Sequence, residues 1–159
     1  MSWVREGELA VSDRPSSPAD VSSWAGMGIG AVLTLNEDHE LAHLGGLEGY
    51  LELLRSLGFE ATSIPIGDFG VPTLGQAREA VSWIERMVSE GRAVLVHCKA
   101  GLGRSCLVAA CYLIHKYGYD APRAIEEVRV RRPGSLGSPL QVAFVLRFGD
   151  YVRRSRGRP

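Results

Sequence analysis

The segment from Val94 to Ser105 joins an apolar strand pattern directly to a glycine-containing loop and then to an apolar helix pattern. The loop begins at Cys98 and ends at Arg104, with five residues between them, two of which are glycine. The apolar run at 106–114 has the length and composition of a buried helix. A loop in this place lies at a helix N-terminus, where backbone N–H groups and the helix dipole attract anions. We therefore predict that residues 98–104, here called the Cys98 loop, bind a dianion such as phosphate.

The residue types in the Cys98 loop suit both anion binding and nucleophilic attack. Glycine at 101 and 103 permits a positive φ and a close approach of the backbone to a ligand. The planar guanidinium of Arg104 can donate two parallel hydrogen bonds to two phosphate oxygens. The same positive field favours the thiolate form of Cys98, which is the nucleophilic form. The predicted ligand-binding residues are Lys99, Ala100, Gly101, Leu102, Gly103 and Arg104.

Residues 97–105, His-Cys-Lys-Ala-Gly-Leu-Gly-Arg-Ser, resemble the active-site loop of the cysteine-based protein tyrosine phosphatases. That family's pattern is His-Cys, five residues, Arg, and then Ser or Thr. The chain is similar in size to the compact dual-specificity members, and its loop resembles those of the Cdc14-like and small atypical branches. The resemblance implies that Cys98 is the nucleophile, that Ser105 donates a hydrogen bond to its sulfur, and that His97 hydrogen-bonds the backbone near it. A helix N-cap is the alternative role for Ser105.

Two positions outside the loop extend the resemblance. The stretch at 64–72, Ile-Pro-Ile-Gly-Asp-Phe-Gly-Val-Pro, follows an apparent strand and resembles the family's acid loop. The resemblance implies that Asp68 is the general acid, a role that typically contributes about 10²–10⁴-fold to the rate; a turn aspartate is the alternative. Gln141 follows the segment Arg-Pro-Gly-Ser at 132–135 and resembles the glutamine that orients the hydrolytic water. A solvent-facing helix residue fits Gln141 equally well.

The remaining sequence alternates strand and helix patterns. Strands are predicted near residues 8–11, 31–35, 61–66 and 93–97. Helices are predicted at 44–57, 73–90, 103–116, 121–131 and 138–152, with Thr73 as a cap and Pro133 after the fourth. This alternation predicts an α/β fold with a central, mostly parallel, twisted sheet of about four to five strands flanked by helices, as in the protein tyrosine phosphatases. Cys98 then lies at the carboxyl end of a strand, where such sheets bind ligands.

Composition restricts the class of protein further. The 159 residues suit one domain, which we assign to residues 1–152, followed by a basic tail at 153–159. Because 18 Lys and Arg balance 18 Asp and Glu, the net charge indicates neither a nucleic-acid nor a membrane partner. Three cysteines without paired spacing, and no apolar leader at 1–10, predict a cytoplasmic protein in a reducing compartment. No cofactor or metal is expected, since no histidine has ligand spacing with a cysteine.

The resemblance predicts a monomeric protein phosphatase that acts through a phosphocysteine intermediate. Residues 2–33 leave little room for the segment that deepens the cleft of strict tyrosine phosphatases, so a shallow pocket should admit phosphotyrosine and also phosphoserine and phosphothreonine. Phosphoinositides and RNA 5′-triphosphates are alternative substrates, with Lys99 and the basic tail as their support. A non-catalytic phosphate-binding module is a further alternative, as is a sulfurtransferase or an arsenate reductase, which share the bare Cys-x5-Arg pattern. Cys106 and Cys111 are interpreted as packing residues, with a disulfide to Cys98 as the alternative.

Overall fold

A five-stranded sheet forms the centre of the fold, with the strand order β1-β2-β5-β3-β4. The computed structural model describes residues 1–157. The strands are β1 (Ser2–Arg5), β2 (Leu9–Asp13), β3 (Ile29–Thr34), β4 (Glu60–Ser63) and β5 (Ala93–Cys98). Only β1 is antiparallel to its neighbour, and the other pairings are parallel. The predicted α/β fold with a mostly parallel sheet is confirmed.

Helices cover both faces of this sheet. They are, in chain order, α1 (Pro18–Gly26), a 3₁₀ helix (Asp38–Leu44), α2 (Gly46–Ser56), α3 (Leu74–Ser89), α4 (Arg104–Tyr117), α5 (Ala121–Arg131) and α6 (Pro139–Ser155). Alternate residues of the central strand β5 enter the two apolar layers: Val94 and Val96 pack with α3 to α6, and Leu95 packs with α1 and α2. Within residues 1–157, no helix is both long enough and apolar enough to cross a bilayer.

Several elements differ from the sequence-based predictions. The helix predicted at 44–57 forms as α2 but begins only at Gly46, because Gly45 adopts a left-handed φ of 91° that separates α2 from a preceding 3₁₀ helix for which no prediction was made. Strand β1 and helix α1 were not predicted. Strand β4 ends at Ser63 and is followed by residues 64–72, here called the Asp68 loop. The amides of Ile64 and Ile66 in this loop still donate to the carbonyl oxygens of Thr34 and Leu35, so the loop begins beside the end of β3.

Helix α6 continues beyond its predicted end at 152. It runs to Ser155, so Arg153 and Arg154 of the predicted tail lie in its last turn, where cations interact favourably with the helix dipole. The Arg156 guanidinium donates to the carbonyl oxygen of His115 at 2.5 Å. Part of the predicted tail is therefore helical, and its residues 158 and 159 lie outside the described residues.

Candidate active site

Cys98 lies at the carboxyl end of β5, directly before the loop that leads into α4. Its side chain is 2% exposed, and its Sγ lies 3.3 Å from Ser105 Oγ. Ser105 is the second residue of α4, and the N-cap position belongs to Gly103. The structure therefore shows the predicted contact between Ser105 and the sulfur, and the N-cap alternative is wrong.

The backbone of the Cys98 loop is held from outside by the segment between α5 and α6. Arg132 donates to the carbonyl oxygen of Gly101 at 3.0 Å, and the Leu136 amide donates to that of Leu102 at 2.9 Å. In a trans peptide the next N–H points the opposite way from the carbonyl, and the structure has no cis peptide among residues 1–157. Because these carbonyls point outward, the amides of Leu102 and Gly103 point into the loop, where an anion can bind.

Gly101 explains why the loop fits against the sheet. Its φ is +71°, and a Cβ atom at this position would lie 2.4 Å from the carbonyl carbon of Ser12 and 2.5 Å from the amide nitrogen of Asp13. Both atoms are backbone of β2, which cannot move aside as a side chain can. A side chain at 101 would displace the loop from the end of β2, so glycine is required here.

Arg104 is held in the interior by Glu40, a residue that the sequence analysis did not select. Its Nη1 lies 2.7 Å from Glu40 Oε1 and its Nη2 lies 2.8 Å from Glu40 Oε2. The two side chains are 2% and 4% exposed. Arg104 Nη1 also donates to the Ile66 carbonyl oxygen at 2.7 Å, and Nη2 lies 3.2 Å from Asp68 Oδ1. Among residues 1–157 this leaves only the Nε–H of the guanidinium free for a ligand, so the predicted pair of parallel bonds to phosphate requires the second Nη2–H to leave Asp68.

The electrostatics of this pair keep both groups charged. Burial by itself raises the pKa of the Glu40 carboxyl, but hydrogen bonds from Arg104 and from the Glu37 amide lower it to about 2. Burial opposes the charge on Arg104, while the bonds to Glu40 and the nearby Cys98 raise its pKa above the ordinary value. A carboxylate and a guanidinium are thus paired beside the predicted nucleophile. The spacing Glu-x-x-Glu at 37–40, which forms a capping box, was the available sequence signal.

Asp68 lies at the tip of a tight turn beside Arg104. The turn is closed by a 2.8 Å hydrogen bond from the Gly70 amide to the Gly67 carbonyl. Phe69 follows with a left-handed φ of 61°, and its amide donates to Asp68 Oδ1 at 3.0 Å. Asp68 is therefore a turn aspartate whose carboxyl group also lies next to the anion site. Its position is compatible with both predicted roles, the turn residue and the general acid.

Gln141 and His97 are both buried. Gln141 is 3% exposed and its Nε2 donates to the Gly70 carbonyl oxygen at 3.2 Å, so the solvent-facing alternative is wrong. His97 Nε2 lies 2.8 Å from the Tyr50 hydroxyl. Its Nδ1 has no partner in good hydrogen-bond geometry among the described atoms, but the Cys98 backbone still interacts with the ring and favours its protonated form, as the resemblance implied. Burial lowers the pKa of His97 to about 3, which keeps it neutral and suits a structural role under β5.

The two cysteines of α4, Cys106 and Cys111, are free thiols in the interior. Cys106 Sγ donates to the Gly101 carbonyl oxygen at 3.4 Å, and burial raises its pKa to about 12. Burial also raises the pKa of Cys111. No disulfide joins either one to Cys98 in this structure of residues 1–157. In the reduced protein, Cys106 and Cys111 are therefore packing residues.

One group of side chains has the composition of a metal site. Ligand-type atoms of Glu37, His39 and Glu40 lie within 4.8 Å of one another. Both carboxylate oxygens of Glu40 already accept from Arg104, and Glu37 belongs to the capping box. These contacts account for the positions of the two carboxylates.

Most of the predicted site residues line one cleft of about 1050 Å³, among them Cys98, Arg104, Asp68 and Gln141. His97, Gly101 and Ser105 lie behind this surface and do not line it. A second cavity of about 420 Å³ lies at the start of α5 and the end of α6, and none of the predicted site residues lines it. The predicted residue Lys99 also lines the larger cleft, together with side chains that were not predicted, such as Arg14 and Phe69.

The comparison with protein families agrees with this geometry. Residues 1–140 match the family model PTP-SAK, described as the Swiss Army Knife protein, DSP-PTPase phosphatase domain. The chain belongs to this family. It is a cysteine-based phosphatase of the protein tyrosine and dual-specificity superfamily, and the resemblance found in the sequence is confirmed.

Individual relatives are similar over nearly the whole chain. Phosphatidylglycerophosphate phosphatase PTPMT2 of Arabidopsis thaliana is 35% identical over 92% of this chain, and protein tyrosine phosphatase domain-containing protein 1 of Mus musculus is 31% identical over 95%. The chain spans 62% and 22% of the lengths of these relatives, respectively. The crystal structure of Tk-PTP in the active form is 32% identical, with a TM-score of 0.83 over 93% of this chain and 95% of that one.

Proposed function

We propose that the chain hydrolyses phosphate monoesters through a phosphocysteine intermediate. One observation carries this proposal: the Arg104 guanidinium lies 3.2 Å from the Asp68 carboxylate, in the same cleft as the Cys98 sulfur. A nucleophile, an anion-binding group and a proton donor are thus available to one phosphate ester.

In the first step, the Cys98 thiolate attacks phosphorus as the bond to the leaving oxygen breaks. The loop amides and Arg104 stabilise the charge on the equatorial oxygens. The protonated carboxyl of Asp68 transfers its proton to the leaving oxygen, so the product departs as a neutral alcohol. The phosphoryl group is then bonded to sulfur.

In the second step, a water molecule attacks the phosphocysteine. Asp68, now a carboxylate, accepts a proton from that water, and the phosphorus–sulfur bond breaks. The Ser105 hydroxyl, 3.3 Å from the sulfur, donates to the departing thiolate and makes it a better leaving group. Inorganic phosphate is released and Cys98 is regenerated.

Replacement of Asp68 by Asn tests the proton donor. The amide keeps the shape of the side chain but cannot transfer a proton, so kcat/KM for phenyl phosphate should fall by about 10²–10⁴-fold. The loss should be much smaller for para-nitrophenyl phosphate, whose leaving group needs less protonation. Steady-state kinetics on both esters measure this difference, with Asp13→Asn at the edge of the cleft as the matched control. An equal loss on both esters would contradict the role of Asp68.

For the substrate class, we propose a phosphorylated lipid headgroup. The sequence-based preference for a phosphoprotein thus becomes the second candidate. Two phosphatidylglycerophosphate phosphatases of Arabidopsis thaliana, PTPMT2 and PTPMT1, are 35% and 30% identical, each over 92% of this chain. Their substrate carries a second, diester phosphate, and the cleft has two more cations, Arg14 and Lys99, in addition to Arg104. A second anionic group suits this charge distribution.

The second candidate is a phosphotyrosine peptide. The Phe69 ring is 79% exposed, lines the cleft and follows Asp68 directly, so it can pack on the phenyl ring of a substrate. The mouse relative, protein tyrosine phosphatase domain-containing protein 1, supports this candidate by its name. A monomer in the reducing cytoplasm stays a prediction.

Phosphate release from a panel of substrates distinguishes these candidates. We expect phosphatidylglycerophosphate in mixed micelles to have a higher kcat/KM than phosphotyrosine and phosphoserine peptides, phosphoinositides or RNA 5′-triphosphate. The variant Lys99→Ala should lower kcat/KM on the lipid more than on para-nitrophenyl phosphate, because the smaller ester has no second anion. A peptide preferred over the lipid, with Lys99→Ala affecting all substrates equally, would favour the second candidate.

A further inference from the structure

The amide of Gln141 connects the Asp68 loop to the Cys98 loop. Its Nε2 donates to the Gly70 carbonyl oxygen at 3.2 Å. On the other side it lies against Gly103, where a Cβ atom would be 2.8 Å from Gln141 Oε1 and 2.9 Å from Nε2. The side chain is 3% exposed and is enclosed between the two loops.

Two side chains donate to backbone carbonyls of the Asp68 loop close to Asp68, one on each side of it. Arg104 binds the carbonyl oxygen of Ile66, two residues before Asp68, and Gln141 binds that of Gly70, two residues after it. Asp68 itself is 38% exposed, and among residues 1–157 its carboxylate accepts only from Arg104 Nη2 and from the Phe69 amide of its own turn. The two backbone bonds that flank Asp68 therefore help to fix where this turn places the carboxylate.

We propose that Gln141 is a positioning residue for the general acid: it holds the Asp68 loop over the anion site while the phosphocysteine forms. This role, which rests on the proposed function, differs from the orientation of the hydrolytic water that the sequence resemblance implied. Water is needed only after the phosphocysteine has formed. The kcat/KM value reports the steps up to that intermediate, whereas slow hydrolysis lowers kcat alone.

The variant Gln141→Met tests the difference, because methionine has a similar length and no N–H donor. The assay measures kcat/KM on aryl phosphates from para-nitrophenyl to unsubstituted phenyl. We expect a loss on the order of tenfold for phenyl phosphate, as for one lost hydrogen bond, and little loss for the nitrophenyl ester. In the Asp68→Asn background the same substitution should have almost no further effect, since it acts through Asp68. Leu140→Ala, at a position that is 71% exposed on the same turn of α6, is the matched control and should behave like wild type.

Two results would overturn the inference while leaving the proposed function intact. Unchanged kcat/KM with a lower kcat and a burst of product would assign Gln141 to the water instead. Equal loss on every ester, persisting in the Asp68→Asn background, would show that Gln141 acts on the fold or on the anion site. A wild-type chain that hydrolysed no ester at all would overturn the proposed function, and this inference with it.

Discussion

Replacement of Cys98 by serine is expected to lower turnover by on the order of 10⁶-fold, as for the loss of other enzyme nucleophiles. A serine hydroxyl stays protonated at neutral pH, and the side chain that contacts this position, Ser105 Oγ, is itself a hydroxyl and not a base. The loop amides and Arg104 are unchanged, so anion binding should persist. Single-turnover hydrolysis of para-nitrophenyl phosphate measures the first effect, and calorimetric titration with vanadate or phosphate measures the second.

Cys111→Ala is the matched control for this experiment. Cys111 is a buried cysteine of α4 that does not line the cleft, so its replacement should leave kcat/KM within about twofold of wild type, apart from the stability cost of a small cavity. Wild-type hydrolysis by the Cys98→Ser variant would exclude the phosphocysteine mechanism. Transfer of sulfur from thiosulfate to cyanide without phosphate release would instead favour the sulfurtransferase alternative.

Replacement of Glu40 by alanine is expected to have the largest effect on stability. It leaves the buried guanidinium of Arg104 without its carboxylate, and breaking one side of a buried ion pair typically costs about 3–5 kcal/mol. Arg104 also loses the two bonds that orient it, so KM for phosphate esters should rise and kcat/KM should fall. Urea unfolding measures the free energy of unfolding, and initial rates measure the loss of binding. Glu79→Gln, an exposed position on α3, should change stability by less than about 0.5 kcal/mol.

The same residue determines part of the pH dependence of stability. The pKa of Glu40 falls from 4.5 to about 2 in the folded chain. A lowered pKa stabilises the fold fully above pH 4.5, and this contribution is lost as the pH falls toward 2. The free energy of unfolding should therefore decline more steeply over this range in wild type than in Glu40→Gln, which has no charge to lose. Parallel slopes for the two proteins would contradict the ion pair.

The local sequence pattern was sufficient to predict the residues around the nucleophile. Cys98, Arg104 and Ser105 lie in one strand-loop-helix unit, in which spacing along the chain determines spacing in the structure. Glu40 could not be found this way, because it meets Arg104 across 64 residues of sequence. The pairing of His97 with Tyr50, across 47 residues, has the same explanation. A single sequence does not state which polar residues from distant elements will be buried against each other.

The errors in secondary structure have a similar origin. Helix α1 is rich in serine and buries only Val21 and Trp24, so its apolar periodicity is too weak to detect. Its cap, Ser17, and Pro18 in its first turn were the available signals. Strand β1 is four residues long and only Val4 is buried, which is typical of an edge strand that depends on its neighbour. These elements form because the rest of the sheet is present.

The central position of β5 links the activity of the protein to the integrity of its fold. Because alternate residues of this strand belong to opposite apolar layers, neither layer can come apart without releasing the strand that ends at Cys98. A reactive sulfur is therefore assembled only in intact molecules. Partly denatured molecules should be inactive, so the fraction of activity lost during storage should equal the fraction of molecules that have lost the native fold.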